Sequence, residues 1–155
     1  MKLPEHPAHV FKLFAHWMYS DTIDIGIIDT RAVGGRMACL ADAWILGDFL
    51  GCFEFCNTVA DSAIQGMGRH RCAMPHWESV KKVALDSHYG RLLVDHMAFH
   101  GSASYSEKYG SFYPMEFNLE VMKVLYNRKT RTNFNPLEQD RDYYHEHPEG
   151  TPKCT

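Results

Sequence analysis

The chain has 155 residues, 45% of them hydrophobic and 23% charged, with a formal charge of −3. That is room for one ordinary domain with a real core and a tail. The near-neutral balance removes any electrostatic reason to expect nucleic acid or an anionic membrane, and ten histidines make the true charge depend on pH between about 5 and 8.

Met1–Pro7 contains no apolar run, so no secretory signal is expected. Pro7 suits the first turn of a helix, where its missing N–H has no helical partner. From Val10 to Tyr19 the apolar residues form two adjacent stripes, Phe11/Phe14/Met18 and Val10/Leu13/Trp17, with only Lys12 and His16 clearly polar. So broad an apolar surface predicts a helix covered on more than one side. Ile23, Ile25 and Ile27 alternate with polar or small residues, which predicts a short strand or extended segment.

Gly34-Gly35 breaks the chain before a helix carrying Met37, Leu40, Ala41 and Trp44 at helical spacing, with Gly47 as its C′ residue. The corner Asp48-Phe49-Leu50-Gly51 leads into a second helix, with Cys52, Cys56, Val59, Ala60 and Ala63 on one face and Gly66 closing it. So short a corner predicts an antiparallel helical hairpin. Trp17, Phe14, Leu40 and Trp44 are assigned to the core.

A basic, glycine-containing linker over 68–76 precedes a second helical block over 77–126. Trp77–Asp86 reads as a short helix. Ser87 is the candidate N-cap of a helix over Tyr89–His100, which Gly101 ends. Gly101–Ser111 is polar and flexible in composition. Pro114 opens a last helix with Phe117, Val121, Val124 and Leu125 on one face. From Asn127 apolar residues thin out and prolines recur, so 127–155 is expected to be a weakly ordered tail. No apolar stretch approaches the roughly 20 residues of a membrane helix.

The five cysteines, at 39, 52, 56, 72 and 154, form no C-x-x-C pair, and three lie in apolar helical patterns. They predict a reducing compartment without a disulfide framework, hence a soluble intracellular protein of the cytoplasm or nucleus. His70, Cys72 and His76, with His145, His147 or Cys154, have the donor chemistry of a zinc site. Structural zinc sites usually pair ligands at tight spacings on both sides of a core, a pattern this sequence lacks, so a polar linker beside a tail is the preferred reading. His96 and His100, one helical turn apart, are read as a half-buried face rather than ligands. Cys56 or Cys72 with His96 or His100 has the residue types of a nucleophilic pair. With no oxyanion-hole signature or G-x-S-x-G elbow, and Cys56 on an apolar face, no enzyme and no cofactor are expected. Lys81-Lys82 and Arg128-Lys129-Thr130-Arg131 are short solvated charge clusters.

Leu3-Pro4-Glu5-His6-Pro7, followed by Phe11-x-x-Phe14-x-x-Trp17-Met18-Tyr19, resembles the lead-in and aromatic helix of the BTB/POZ domain. Leu40–Leu50, with Phe55-Cys56-Asn57-Thr58-Val59-Ala60-Asp61, is similar to its next helical pair, nearest to the fungal branch. Arg91–Asp95, Phe99-His100-Gly101 and Tyr144-His145-Glu146-His147 with Cys154 resemble the extension that follows the domain there. Two departures stand out: the family's strands and N-terminal dimer helix would precede Met1, and its Thr-Gly after the tyrosine is Ser20-Asp21.

The resemblance implies a mainly α fold, a truncated BTB/POZ-like helical domain over 1–67 with a helical C-terminal extension and little or no sheet. It implies protein–protein interaction without catalysis, as self-association with another BTB protein or as an adaptor for a cullin-3 ubiquitin ligase. The missing dimer elements weaken self-association more than the adaptor role. The residues matching the family's cullin surface are His16, Tyr19, Asp21, Asp48 and Phe53, expected to be exposed. The alternative is a small zinc-binding module built from the linker and tail. With the family's N-terminal sheet missing, two expectations stand: the chain is a shortened gene product, or it covers its aromatic helix with its own C-terminal block, Trp77–Leu125.

Overall fold

A computed structural model of the chain describes residues 7–69, 74–127 and 135–152. Among them are seven α-helices and no strand: α1 (Ala8–Ser20), α2 (Arg36–Leu50), α3 (Phe53–Arg69), α4 (Trp77–Val80), α5 (His88–His100), α6 (Ala103–Tyr109) and α7 (Met115–Asn127). Short 3-10 turns lie at Ile25–Ile27, Thr30–Val33, Gly110–Phe112, Pro136–Glu138 and Arg141–Tyr143. The fold is mainly α, as the sequence predicts.

The core is built around α2. Met37 through Ala41, together with Ala43, Trp44 and Leu46, are all buried, so this helix has neighbours on nearly every side. α1 and α4 lie against it, α3 returns along it, and Trp44 stacks on Tyr89 of α5 with ring centroids 5.6 Å apart. Near the end of α2, the Cys56 thiol of α3 donates to the Trp44 carbonyl at 3.7 Å. At the other end, Gly66 of α3 lies beside the Arg36 guanidinium. The two helices are therefore the antiparallel hairpin that the short corner predicts.

Gly47 does not end α2. A Cβ there would stand 2.6 Å from Cys56 Sγ and 2.9 Å from Phe55 Cδ1, so its role is to let the two helices approach. The turn is made at Gly51, whose φ of 64° is left-handed and whose N–H donates to the Asp48 carbonyl at 3.0 Å. Gly66 likewise lies inside α3, which continues to Arg69.

Other boundaries differ from expectation for local reasons. The isoleucine alternation forms a 3-10 turn and not a strand: Asp24 Oδ1 accepts the Gly26 N–H at 2.8 Å and bends the chain, while Ile25 turns into the core. The helix expected over Trp77–Asp86 is one turn, α4, followed by turns. Ser87 caps α5 as predicted, its hydroxyl accepting the Gly90 N–H at 3.0 Å, and Gly101 ends it. The stretch read as flexible, Gly101–Ser111, contains α6, capped by Ser102. The Tyr113 hydroxyl then ties this region back, donating to the Pro75 carbonyl at 2.6 Å and bonding Tyr105 at 2.9 Å. In α7, Phe117 is buried and Val121 and Val124 are half-buried, but Leu125, expected on the same face, is exposed.

The C-terminal block covers α2 more than α1. α4 and α5 meet α2, and α7 packs on α5. α1 buries Val10, Leu13 and Trp17 and leaves Met18 and Tyr19 in water. The expected weakly ordered tail is, over 135–152, a docked segment with Pro136, Tyr144 and His145 buried. Its apolar residues are few, but they are the ones that face inward.

Replacing Gly47 with Ala forces a methyl group into the α2–α3 contact. The expected cost is about 1–3 kcal/mol of overpacking, read from the midpoint of a urea transition. An unchanged midpoint would contradict the close approach.

Candidate interaction surface

α1 is fixed from beneath. The Trp17 indole N–H donates to Thr58 Oγ1 at 3.2 Å, and the Phe14 and Trp17 rings meet Phe55 at 4.9 and 5.2 Å between centroids. Lys12 Nζ donates to the Ile27 carbonyl at 2.8 Å and holds the following loop to the same helix. α1 and the first turns of α3 thus form one rigid platform, with the α2–α3 corner beside it.

On this platform Tyr19 is 92% exposed and Met18 58% exposed, while Phe53 opens α3 at 37%. Asp21 follows Tyr19 with φ at 57°, a left-handed conformation that non-glycine residues adopt reluctantly, and its N–H caps α1 by donating to the Trp17 carbonyl at 2.8 Å. Asp21 and Asp48 are exposed carboxylates at or near the C-terminal ends of α1 and α2, where the helix dipole disfavours negative charge. Neither carboxylate makes a hydrogen bond or ion pair among the described residues. Tyr19, Asp21, Asp48 and Phe53 are all exposed, as the resemblance implies. His16 is half-buried instead, because its Nδ1 lies 3.0 Å from the Ser20 hydroxyl and 3.4 Å from the Thr22 carbonyl.

The docked tail forms the far wall of a cleft of about 560 Å³, lined by Cys52, Phe53, Glu54 and Asn57 on one side and Glu146 and His147 on the other. Asn57 is the clamp. Its Nδ2 donates to the Glu146 carbonyl at 2.9 Å, and its Oδ1 accepts the Glu146 N–H at 2.8 Å. One turn later Asp61 Oδ1 lies 3.0 Å from His145 Nε2, and the Tyr144 hydroxyl donates to the buried Asp95 at 3.0 Å. His147 meets Asp142 at 3.0 Å and His88 meets Glu146 at 3.6 Å. Sequence reasoning gave Asn57, Asp61 and Asp95 no structural role of their own. A carboxylate in the midst of Leu92, Leu93, Val94 and Met97 is the signal that a partner must arrive from elsewhere.

The zinc reading fares differently residue by residue. His70, Cys72 and Cys154 lie outside the described residues. His76 stacks on Trp77 at 4.4 Å, while His145 and His147 face different carboxylates. Among the described residues no group of three or more His, Cys, Asp or Glu stands close enough to hold a metal ion. His96 is buried and His100 half-buried, with rings 4.7 Å apart. Burial pushes the Cys39 thiol up to about 11, with Asp42 adding to it, and burial pushes the Cys56 thiol higher still. Burial of this kind disfavours the thiolate that a nucleophile needs. No described helix is long and apolar enough to cross a membrane.

Two tests follow from this geometry. Asn57→Ala removes both bonds to Glu146 and strands the backbone groups they satisfied, at a cost of about 1–3 kcal/mol. Hydrogen exchange over 135–152 should accelerate far more than exchange in α2, and equal protection in both proteins would dismiss the clamp. Native protein treated with a small alkylating reagent at neutral pH should label Cys39 and Cys56 slowly compared with the denatured chain. Rapid native labelling of Cys56 would restore the cysteine-nucleophile reading.

Comparisons with protein families, with curated proteins and with solved structures find no match to this chain.

Proposed function

We propose that this chain is a protein-interaction module whose partner docks on the platform made by the end of α1, the α2–α3 corner and the start of α3. The observation that carries this reading is Tyr19, a large aromatic at 92% exposure, on a helix held rigidly by Trp17 and Phe14. Exposed aromatics on rigid supports are the usual energetic anchors of interfaces, because little side-chain entropy is lost when they are covered. Asp21 and Asp48 add a polar rim whose carboxylates bond no other described residue, and Asp21 keeps a strained backbone while doing so.

The resemblance to BTB/POZ proteins supplies the class of partner. Tyr19, Asp21, Asp48 and Phe53 match the positions of that family's cullin-3 surface, so the proposed role is that of an adaptor to a cullin-3 ubiquitin ligase. The interaction is non-catalytic.

Calorimetric titration with the N-terminal domain of cullin-3 tests both levels of the reading. Binding is expected, with Tyr19→Ala and Phe53→Ala each weakening it by about tenfold or more, as for anchor residues. Binding untouched by both changes would move the interface off this platform. Absence of binding by the native protein would remove the adaptor role.

A further inference from the structure

α7 has a second face that the core does not use. Met115, Leu119, Met122 and Tyr126 are 73%, 50%, 47% and 65% exposed, against a buried Phe117 and half-buried Val121 and Val124 on the opposite side. These four residues are spaced four, three and four apart, one continuous stripe along the helix. Leu125 extends the apolar surface beside it.

That spacing reads the same in both directions. When the stripe is turned end over end, Met115 falls opposite Tyr126 and Leu119 opposite Met122. In coiled-coil terms Met115 and Met122 occupy d positions, and Leu119 and Tyr126 occupy a positions. The flanking e positions are Glu116 and Lys123. In an antiparallel pair these edges face each other, so Glu116 of each helix lies opposite Lys123 of the other, twice per pair. A parallel pair would instead face e positions with g positions, setting Lys123 against Asn118 and forming neither of these charge pairs. Lys123 does meet Glu120 at 2.6 Å within its own helix, but that pair is largely solvent-exposed and little is lost in exchanging it.

We infer that α7 is a self-association surface, on which a second copy of this chain docks its own α7 in antiparallel, two-fold symmetric fashion. Both the palindromic stripe and the charge pattern at its edge select this one occupant, because a two-fold interface must be complementary to itself. Thirteen helical residues span only about 20 Å. The interface is therefore at the small end of specific contacts, and the dimer should dissociate on dilution into the low micromolar range. This association is independent of the platform on α1, since α7 packs on α5 while α1 packs on α2.

Sedimentation equilibrium of the full chain over a wide concentration range provides the test, with circular dichroism to establish that each variant is folded. A monomer–dimer equilibrium is expected for the native protein. Met122→Glu, at an exposed position, should abolish it without changing the thermal transition. Glu116→Lys and Lys123→Glu should each weaken the homodimer by about tenfold, since each places like charges together twice. Mixing those two variants should restore association, because each then supplies the charge the other lacks. A native monomer at every concentration overturns the inference. So does a dimer that survives Met122→Glu, or two charge variants that fail to recover on mixing.

Discussion

The structure depends on α2 being apolar almost all the way round. A helix with one apolar stripe can lie on a surface, but one with buried residues at Ala38, Cys39, Leu40, Ala41, Ala43 and Trp44 must be enclosed. α1, α3, α4 and α5 each supply part of the enclosure. The closest approach is to α3, where Gly47 allows backbone and side chain to meet without a Cβ between them. On the α5 side, Trp44 lies flat on Tyr89, and the burial that holds the two rings together also raises the Tyr89 hydroxyl pKa. Because α2 is shared by so many neighbours, α1 needs only one edge in the core, and its other edge is left for a different purpose.

The hairpin, the aromatic helix, the Ser87 cap and the Gly101 stop are legible in the sequence because each rests on local spacing or on one capping residue. What was not legible depended on which of two local rules wins. Gly47 has the position of a helix terminator, yet glycine also serves close packing, and only the identity of the facing residues, Phe55 and Cys56, decides between them. Ile23, Ile25 and Ile27 have strand spacing, but a strand needs a partner to satisfy its backbone. With no strand among the described residues, the Asp24 turn prevails. At the candidate surface the sequence placed four of five residues correctly as exposed. His16 went wrong because Ser20, one turn later on the same helix, brings its hydroxyl within reach of the ring.

Residues 135–152, the docked part of the tail, were misread for a more general reason. Their composition is that of a solvated segment, and composition does not reveal a docking partner 89 residues away in sequence. Asn57 and Asp61 form one end of that contact, and Tyr144, His145 and Glu146 form the other with Asp95 beneath them. A bidentate amide on a backbone and a carboxylate facing an imidazole specify a register that apolar contacts alone leave loose. The same docking builds one wall of the cleft beside Phe53, so the tail shapes the proposed interaction platform as well as stabilising α3.

The two exposed apolar faces differ in kind, and the difference bears on what each can recognise. The end of α1 presents one dominant aromatic, Tyr19, with the acids Asp21 and Asp48, unpaired among the described residues, on the same platform. Nothing in that arrangement is self-complementary, since a two-fold axis through it would set aspartate against aspartate. It therefore suits a partner of different sequence that brings positive charge to the rim. The stripe on α7 is the reverse: apolar residues of similar size at palindromic spacing, flanked by one acid and one base whose positions exchange on rotation. A surface of that kind is complementary to its own copy, because a two-fold rotation restores both the spacing and the charge order. With α1 and α7 engaged separately, dimerisation through one leaves the other open, and a dimer would offer the α1 platform twice. For a weak single contact, two linked copies raise effective affinity without any new interaction at the platform itself.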